Sequence, residues 1–226
     1  MMLRQLVKIG RFLKMVNLKT IYFNFKYFPT QVAIKLPILI SRHVILKQCE
    51  GKVYIEGEIS TGQIRIGYND VSIFDRQRSK SILEISGEMT FRGKALLGHG
   101  SRISIARGGK LIFGDNFEIT AASAVICYHE IEFGTDCLLS WDILLMDTDL
   151  HPIVNGDGEI INAPRKISIG DHVWIGCRST ILKGSIIASG NVIAAGTVVS
   201  SKLTEQNSIY GSNPCRILKE NIHWKH

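Results

Sequence analysis

Of the seven histidines in this 226-residue chain, His151 is a candidate for acid-base chemistry, although a lone histidine in so polar a run reads equally as a surface loop residue. It stands in MDTDLHPI, a polar run with Asp147 and Asp149 just ahead of it. Imidazole titrates near a pH of about 6.5, so it can take a hydroxyl proton at neutral pH and release it again. A carboxylate on the far ring nitrogen would fix the tautomer and steady the imidazolium. Asp149 is the nearer candidate and Asp147 the other. Both also fit the plainer role of turn acids whose oxygens cap backbone N–H groups, and a backbone carbonyl would orient the ring equally well. His129 and His172 lie inside regular repeat steps and read as structural or surface residues. Cys49, Cys127, Cys137, Cys177 and Cys215 are odd in number and lack CxxC or zinc spacing, so we read reduced thiols, a cytoplasmic chain and no metal centre.

What must position His151 is a strict six-residue step. From Ile169 to Thr204 the chain reads IGDHVW, IGCRST, ILKGSI, IASGNV, IAAGTV and VSSKLT, headed by Ile169, Ile175, Ile181, Ile187, Ile193 and Val199. That period fits neither strand alternation nor the helical repeat. Small residues follow most of the leaders (Gly170, Gly176, Ala188, Ala194, Ser200), which suits a short strand and a tight corner, three steps to a triangular coil. Coils stacked about 4.8 Å apart would turn the leaders into a buried ladder. The register continues upstream, with spacers, through Phe91, Leu97, Ile103, Phe113, Ile119, Val125, Phe133, Leu139 and Leu145. Between Leu145 and Ile169 lies HPIVNGDGEIINAPRK, whose Gly, Asn, Asp and Pro cannot follow the inward pattern. This predicts a loop leaving the stack over about residues 151–166, opened by His151, on what is commonly the binding face of a solenoid.

Composition points to one globular unit, 45% hydrophobic. A net charge of +7 without a zinc-finger, helix-turn-helix or RNA-binding motif favours anionic ligands or a membrane surface over nucleic acid. In MMLRQLVKIGRFLKMV the cations Arg4, Lys8, Arg11 and Lys14 fall along one side of an amphipathic helix, too interrupted to be an export signal or a span. Such a helix either lies on an anionic membrane surface or packs on the solenoid. Thr20 to Ile45, with Pro29 and Pro37, reads as irregular connection and strand. The expected layout is therefore a helical and irregular segment over 1–45, a β-helix over 46–204 and a tail over 205–226.

Taken in order, DTDLHPI, ISIGDHVWIG, VIAAGTVVSSK and GSNPCRILKE resemble the hexapeptide-repeat acyltransferases, particularly sugar O-acetyltransferases of the galactoside and maltose acetyltransferase type, between Phe113 and Glu220. The resemblance implies an all-β solenoid, the left-handed parallel β-helix, assembled as a homotrimer with acetyl-CoA in the groove between subunits. The implied reaction is direct acetyl transfer to a carbohydrate hydroxyl in surface polysaccharide or glycan biosynthesis, on the inner side of the membrane. Amino-sugar N-acetylation needs the same base and groove and stays open, as does a scaffold without activity. A zinc hydratase would need a closely spaced histidine pair that His129, His151 and His172 do not supply.

The resemblance also assigns residues. His151 becomes the general base with Asp149 beside it, although the chain carries an added residue where relatives have Gly-His-Pro or Asn-His-Pro. Trp141 and Asp142 fall on the acceptor side, where relatives often place an Asn. Trp174 matches a tryptophan beside the active site, with pantetheine or a sugar face as its partner. Gly176 and Cys177 would offer backbone N–H groups to the thioester oxyanion. Cys177 stands where galactoside acetyltransferases have Ser and is not expected to act as a nucleophile. Ala194 and Ala195 leave room for the cofactor arm, and Lys202 and Arg216 would meet its phosphates.

Overall fold

The six-residue leaders become the inward positions of short strands. In the computed structural model, which describes residues 15–225, all six leaders from Ile169 to Val199 are buried. So are the upstream leaders from Phe91 to Leu145. Up to the last turn, strands three places apart pair in parallel, which sorts the chain into three faces of a triangular prism. The first face includes β1 (Ile38–Ile40), β13 (Leu138–Trp141), β16 (Trp174–Ile175), β19 (Val192–Ile193) and β22 (Ile209–Gly211). The second includes β14 (Leu144–Met146), β17 (Thr180–Leu182) and β20 (Val198–Val199). The third includes β12 (Glu130–Phe133), β15 (Ile167–Ile169), β18 (Ile186–Ile187) and β21 (Lys202–Leu203).

Register is strict, with Ile119, Leu139, Ile175 and Ile193 paired in succession on the first face. The aliphatic ladder gives way on the third face to stacked rings, Phe91, Phe113 and Phe133, at centroid distances of 5.1 and 5.7 Å. The fold is the expected left-handed parallel β-helix.

The N-terminal part departs from expectation. Thr20 to Ile45 is not irregular: it holds helices α1 (Leu18–Tyr27) and α2 (Thr30–Ala33), and β1 starts the solenoid at Ile38, ahead of residue 46. Asn17 caps α1 by accepting from the N–H groups of Lys19 and Thr20. Thr20, Phe23 and Asn24 face inward, and their polar groups close the open edge of the first sheet. Asn24 Nδ2 donates to Ile38 O at 2.7 Å, while its Oδ1 accepts from Ile38 N at 3.2 Å. Thr20 Oγ1 accepts from Ile40 N at 3.0 Å. An uncovered parallel edge would invite pairing with another chain, so the helix acts as a lid on the stack. Its inward Thr and Asn interrupt the apolar period that would have announced a helix. The amphipathic helix expected around Arg4, Lys8, Arg11 and Lys14 falls outside the described residues.

The far end departs as well. Within the expected tail, β22 adds a further rung to the first face, and β23 (Arg216–Lys219) folds back antiparallel on it. Trp224 then returns to the coil wall, stacked on His172 at 4.1 Å.

Because the ladder carries the fold, Ile187→Ala should cost about 2–5 kcal/mol through the cavity it opens. Chemical denaturation should show a lower midpoint at unchanged slope, and a loss under about 1 kcal/mol would mean that the coil collapses around the gap.

Candidate active site

The expected loop leaves the stack after β14 and returns at β15. Two hydrogen bonds from backbone groups fix its root. Asp147, fully buried, accepts from Tyr128 N at 2.7 Å and His129 N at 2.8 Å, so its carboxylate closes the corner of the preceding coil and is not free for His151. Between these ends the loop is a small hairpin, bridged from Val154 to Ile160 and turned on Asn155, whose Oδ1 accepts from the N–H groups of Asp157 and Glu159.

Asp149 is engaged elsewhere than on the imidazole. Its Oδ2 accepts from Lys183 Nζ and from Asn162 Nδ2 at 2.9 Å. Lys183, one coil further on, also donates to Asn162 O at 2.7 Å, and Asn162 Nδ2 donates to His151 O at 2.8 Å. Lys183, with Asn162 second, holds the Asp149 carboxyl below its usual range. Asp149 therefore orients His151 through the backbone, by way of the Asn162 clamp, and the expected carboxylate–imidazole bond is absent among the described residues. The reason lies in the stacking: Lys183 stands over the root of the loop and offers the carboxylate a charge-assisted partner. His151 itself is exposed, on the wall of a concavity of about 280 Å³ lined by Tyr128, Leu150, Pro152, Ile160 and Pro164. A mostly apolar hollow with an imidazole on its wall suits proton transfer to or from a bound hydroxyl.

A second set of candidates gathers on another edge, where the first face turns into the second. Trp174 lies outward on β16, 37% exposed, and its Nε1 donates to Ser140 Oγ at 3.1 Å. Ser140 is followed by Trp141 and Asp142, and the exposed Asp142 sits at the corner with a left-handed φ of 55°. Arg178 occupies the same corner one coil on, with φ 60° and its Nε 4.0 Å from Asp142 Oδ2. Gly176 N donates to Ile193 O at 2.8 Å, so this N–H is spent in the ladder and offers nothing to an oxyanion, contrary to expectation. The N–H groups of Cys177 and Ala195 have no backbone partner among the described residues. Ala194 is half-buried and Ala195 exposed, so a narrow molecule can lie along this edge without meeting bulk.

Lys202 and Arg216 are both exposed but on different faces, Lys202 on β21 and Arg216 on β23 beside β22. One chain does not bring them to a common phosphate, because six-residue steps rotate successive strands to different sides of the prism. Nor does one chain bring His151 to Trp174 and Asp142. From Asp142 to Asp147 the second face runs five residues, roughly 16 Å at about 3.3 Å per residue.

Comparison with known proteins fits this geometry. Residues 166–201 match the bacterial transferase hexapeptide (six repeats) family model. A polysialic acid O-acetyltransferase of Neisseria meningitidis is 34% identical over 173 residues, covering 74% of this chain and 71% of that protein. The chain belongs to the hexapeptide-repeat acyltransferases. A polysialic acid O-acetyltransferase of Escherichia coli O1:K1 is 36% identical over 124 residues, 54% of this chain and 40% of its own length. Among solved structures, a polysialic-acid-specific acetyltransferase shares the fold, with a TM-score of 0.56 at 21% identity over 81% of this chain and 89% of its own. The protein is accordingly an acyltransferase.

For a hexapeptide acyltransferase, sequence reasoning overlooked Lys183 and Asn162, which tie the loop to the stack. Lys183 carried a readable signal: in ILKGSI it is the one charged residue in a step that lies a coil beyond the loop. The Trp224–His172 stack had none, since 52 residues separate the two.

The Asp149–Lys183 pair yields a sign that titration can check. The pair holds the folded-state pKa of Asp149 below its unfolded value, so its contribution is present above the unfolded pKa and is lost as pH falls through the depressed one. Lys183→Met should therefore raise the Asp149 midpoint in a carboxyl NMR titration and speed amide exchange across residues 149–163. An unmoved midpoint would show that Lys183 does not hold the carboxylate in solution.

Proposed function

We propose that this acyltransferase moves an acetyl group from acetyl-CoA to a hydroxyl of a surface-polysaccharide carbohydrate, with His151 as general base and no covalent intermediate on the chain. The observation that carries this reading is the placement of His151: exposed, without a hydrogen-bond partner on its ring among the described residues, and held through its backbone carbonyl over an apolar hollow. By contrast, Nε2 of His99 pairs with Ser79 Oγ and Nε2 of His172 with the carbonyl of Trp224. The carbohydrate acceptor is supported by the relatives' named substrate, polysialic acid.

The residues fit an acyl-CoA donor. Such a donor needs a narrow path, unpaired backbone N–H groups and an aromatic wall, and the edge formed by Ala194, Ala195, the Cys177 N–H and the Trp174 indole has all of these. When bound, acetyl-CoA supplies the activated acetyl group as a thioester. His151 takes the proton from the attacking hydroxyl and passes it to the departing thiolate sulfur. Asp149, Asn162 and Lys183 hold the loop so that the ring keeps its place. The Cys177 N–H donates to the carbonyl oxygen as negative charge develops on it. Asp142 accepts from a neighbouring hydroxyl of the acceptor, and Trp141 stands beside it on the acceptor side.

Since His151 and the Trp174 edge lie on opposite sides of the second face, we infer that the site closes only between copies, in a homotrimer that also brings together Lys202 and Arg216 of different subunits. The hairpin supports this: Ile153, Val154, Ile160 and Ile161 are each more than half exposed, an apolar group suited to packing against a neighbour.

Acetyl-CoA should raise the melting temperature of the purified protein while zinc does not, since a ligand specific to the folded state stabilises it by mass action. No shift at millimolar acetyl-CoA would contradict the donor assignment. His151→Ala should lower turnover by about two to four orders of magnitude with acetyl-CoA affinity nearly unchanged. Retention of full activity would remove the proposed base.

A further inference from the structure

The net charge of +7 is not spread along the chain. Residues 1–49 contain nine Lys and Arg and no Asp or Glu, whereas the remaining residues carry 18 cations against 20 anions. Of those nine, Lys19, Lys26, Lys35, Arg42 and Lys47 lie among the described residues, at the end of the prism that α1 covers. There α1 has two apolar sides. Phe23 packs inward, but Leu18, Ile21, Tyr22 and Phe25, at the spacing of one helical face, are 83, 42, 52 and 48% exposed. Ile34, at the end of α2, is 64% exposed. Exposed Lys26 and Lys35 flank this apolar surface, and Lys26 Nζ lies 5.9 Å from the Tyr22 ring centroid.

Four large apolar side chains on one face of a helix need a partner that is apolar in depth, and the flanking Lys26 and Lys35, which make no ion pair among the described residues, suit one that is anionic at its surface. An acidic glycan or nucleic acid would satisfy the cations and leave Leu18, Ile21 and Phe25 in water. A second copy of the same positive end would bring like charges together. We propose that the outward face of α1 docks on the anionic headgroup surface of a phospholipid bilayer, seating Leu18, Ile21, Tyr22 and Phe25 at the acyl boundary with Lys26 and Lys35 among the phosphates. This membrane face is independent of the acetyl-transfer reading. It lies at the first coil, with His151 and the Trp174 edge several coils further along the prism, so docking leaves the proposed site open to an acceptor.

Co-sedimentation of the full chain with vesicles tests it. The protein should bind vesicles of phosphatidylglycerol and phosphatidylcholine, bind poorly to phosphatidylcholine alone, and dissociate as salt is raised. The substitutions Leu18→Ser, Ile21→Ser and Phe25→Ser, made together, should weaken binding to the anionic vesicles by about tenfold or more, because affinity follows the apolar area inserted. Circular dichroism and the sedimentation coefficient of the variant should match those of the unaltered protein. Binding by charge alone, unchanged in the variant, would overturn the proposal. So would dissociation of the oligomer in the variant, which would make a second copy the occupant of the face.

Discussion

A triangular coil must turn three corners within each rung, and many of these turns between short strands pass through a residue in the left-handed conformation. Ala122, Asp142, Arg178 and Gly196 take this conformation at the edge between the first and second faces, at φ 46, 55, 60 and 73°. Three of the four carry a β-carbon and pay the associated strain, roughly 1–2 kcal/mol each in an unassisted chain. The aliphatic ladder supplies what holds them there. Each buried leader contributes about 1.5–3 kcal/mol relative to exposure, so a rung of three offsets its corners. The candidate site rests on this arrangement, because the corners are where side chains leave the prism: Asp142 and Arg178 lie at one edge and the His151 hairpin at another.

Stacking also does what sequence proximity cannot. Lys183 is 34 residues from Asp149 along the chain yet sits over it, because the intervening residues comprise the loop and one coil. The same stacking withdraws groups from use. Gly176 N–H is claimed by Ile193 O of the next rung, while the corner N–H groups of Cys177 and Ala195 stay unclaimed because the chain turns there. Whether a backbone amide can serve a ligand is thus decided by its phase in the coil and not by the residue type.

That distinction separates what could be read in the sequence from what could not. The ladder from Ile169 to Val199 was legible because its period belongs to no other element, and the loop because Gly, Asn, Asp and Pro cannot point inward. The position of His151 followed from both. Helix α1 was not legible, since Thr20 and Asn24 face the core to pair with the backbone of Ile38 and Ile40, reversing the usual polarity of an inward face. The partner of Asp149 was not legible either, since it depends on which residue a later coil stacks above it. Trp174 was recognisable from its motif, but the Ser140 hydroxyl that fixes its indole appears only once β13 and β16 are paired.

The division of the proposed site between copies is open to a direct measurement. His151→Ala removes the base, and Ala195→Trp fills the exposed edge where the donor would lie without touching the ladder. Each variant alone should be almost inactive. Mixed trimers, formed by dissociating and reassembling the two together, should recover a substantial fraction of activity, because some interfaces then join an intact His151 to an intact Ala195 edge. Recovery no greater than the sum of the separate variants, in trimers shown to be mixed, would place the whole site within one chain and contradict the shared-site mechanism.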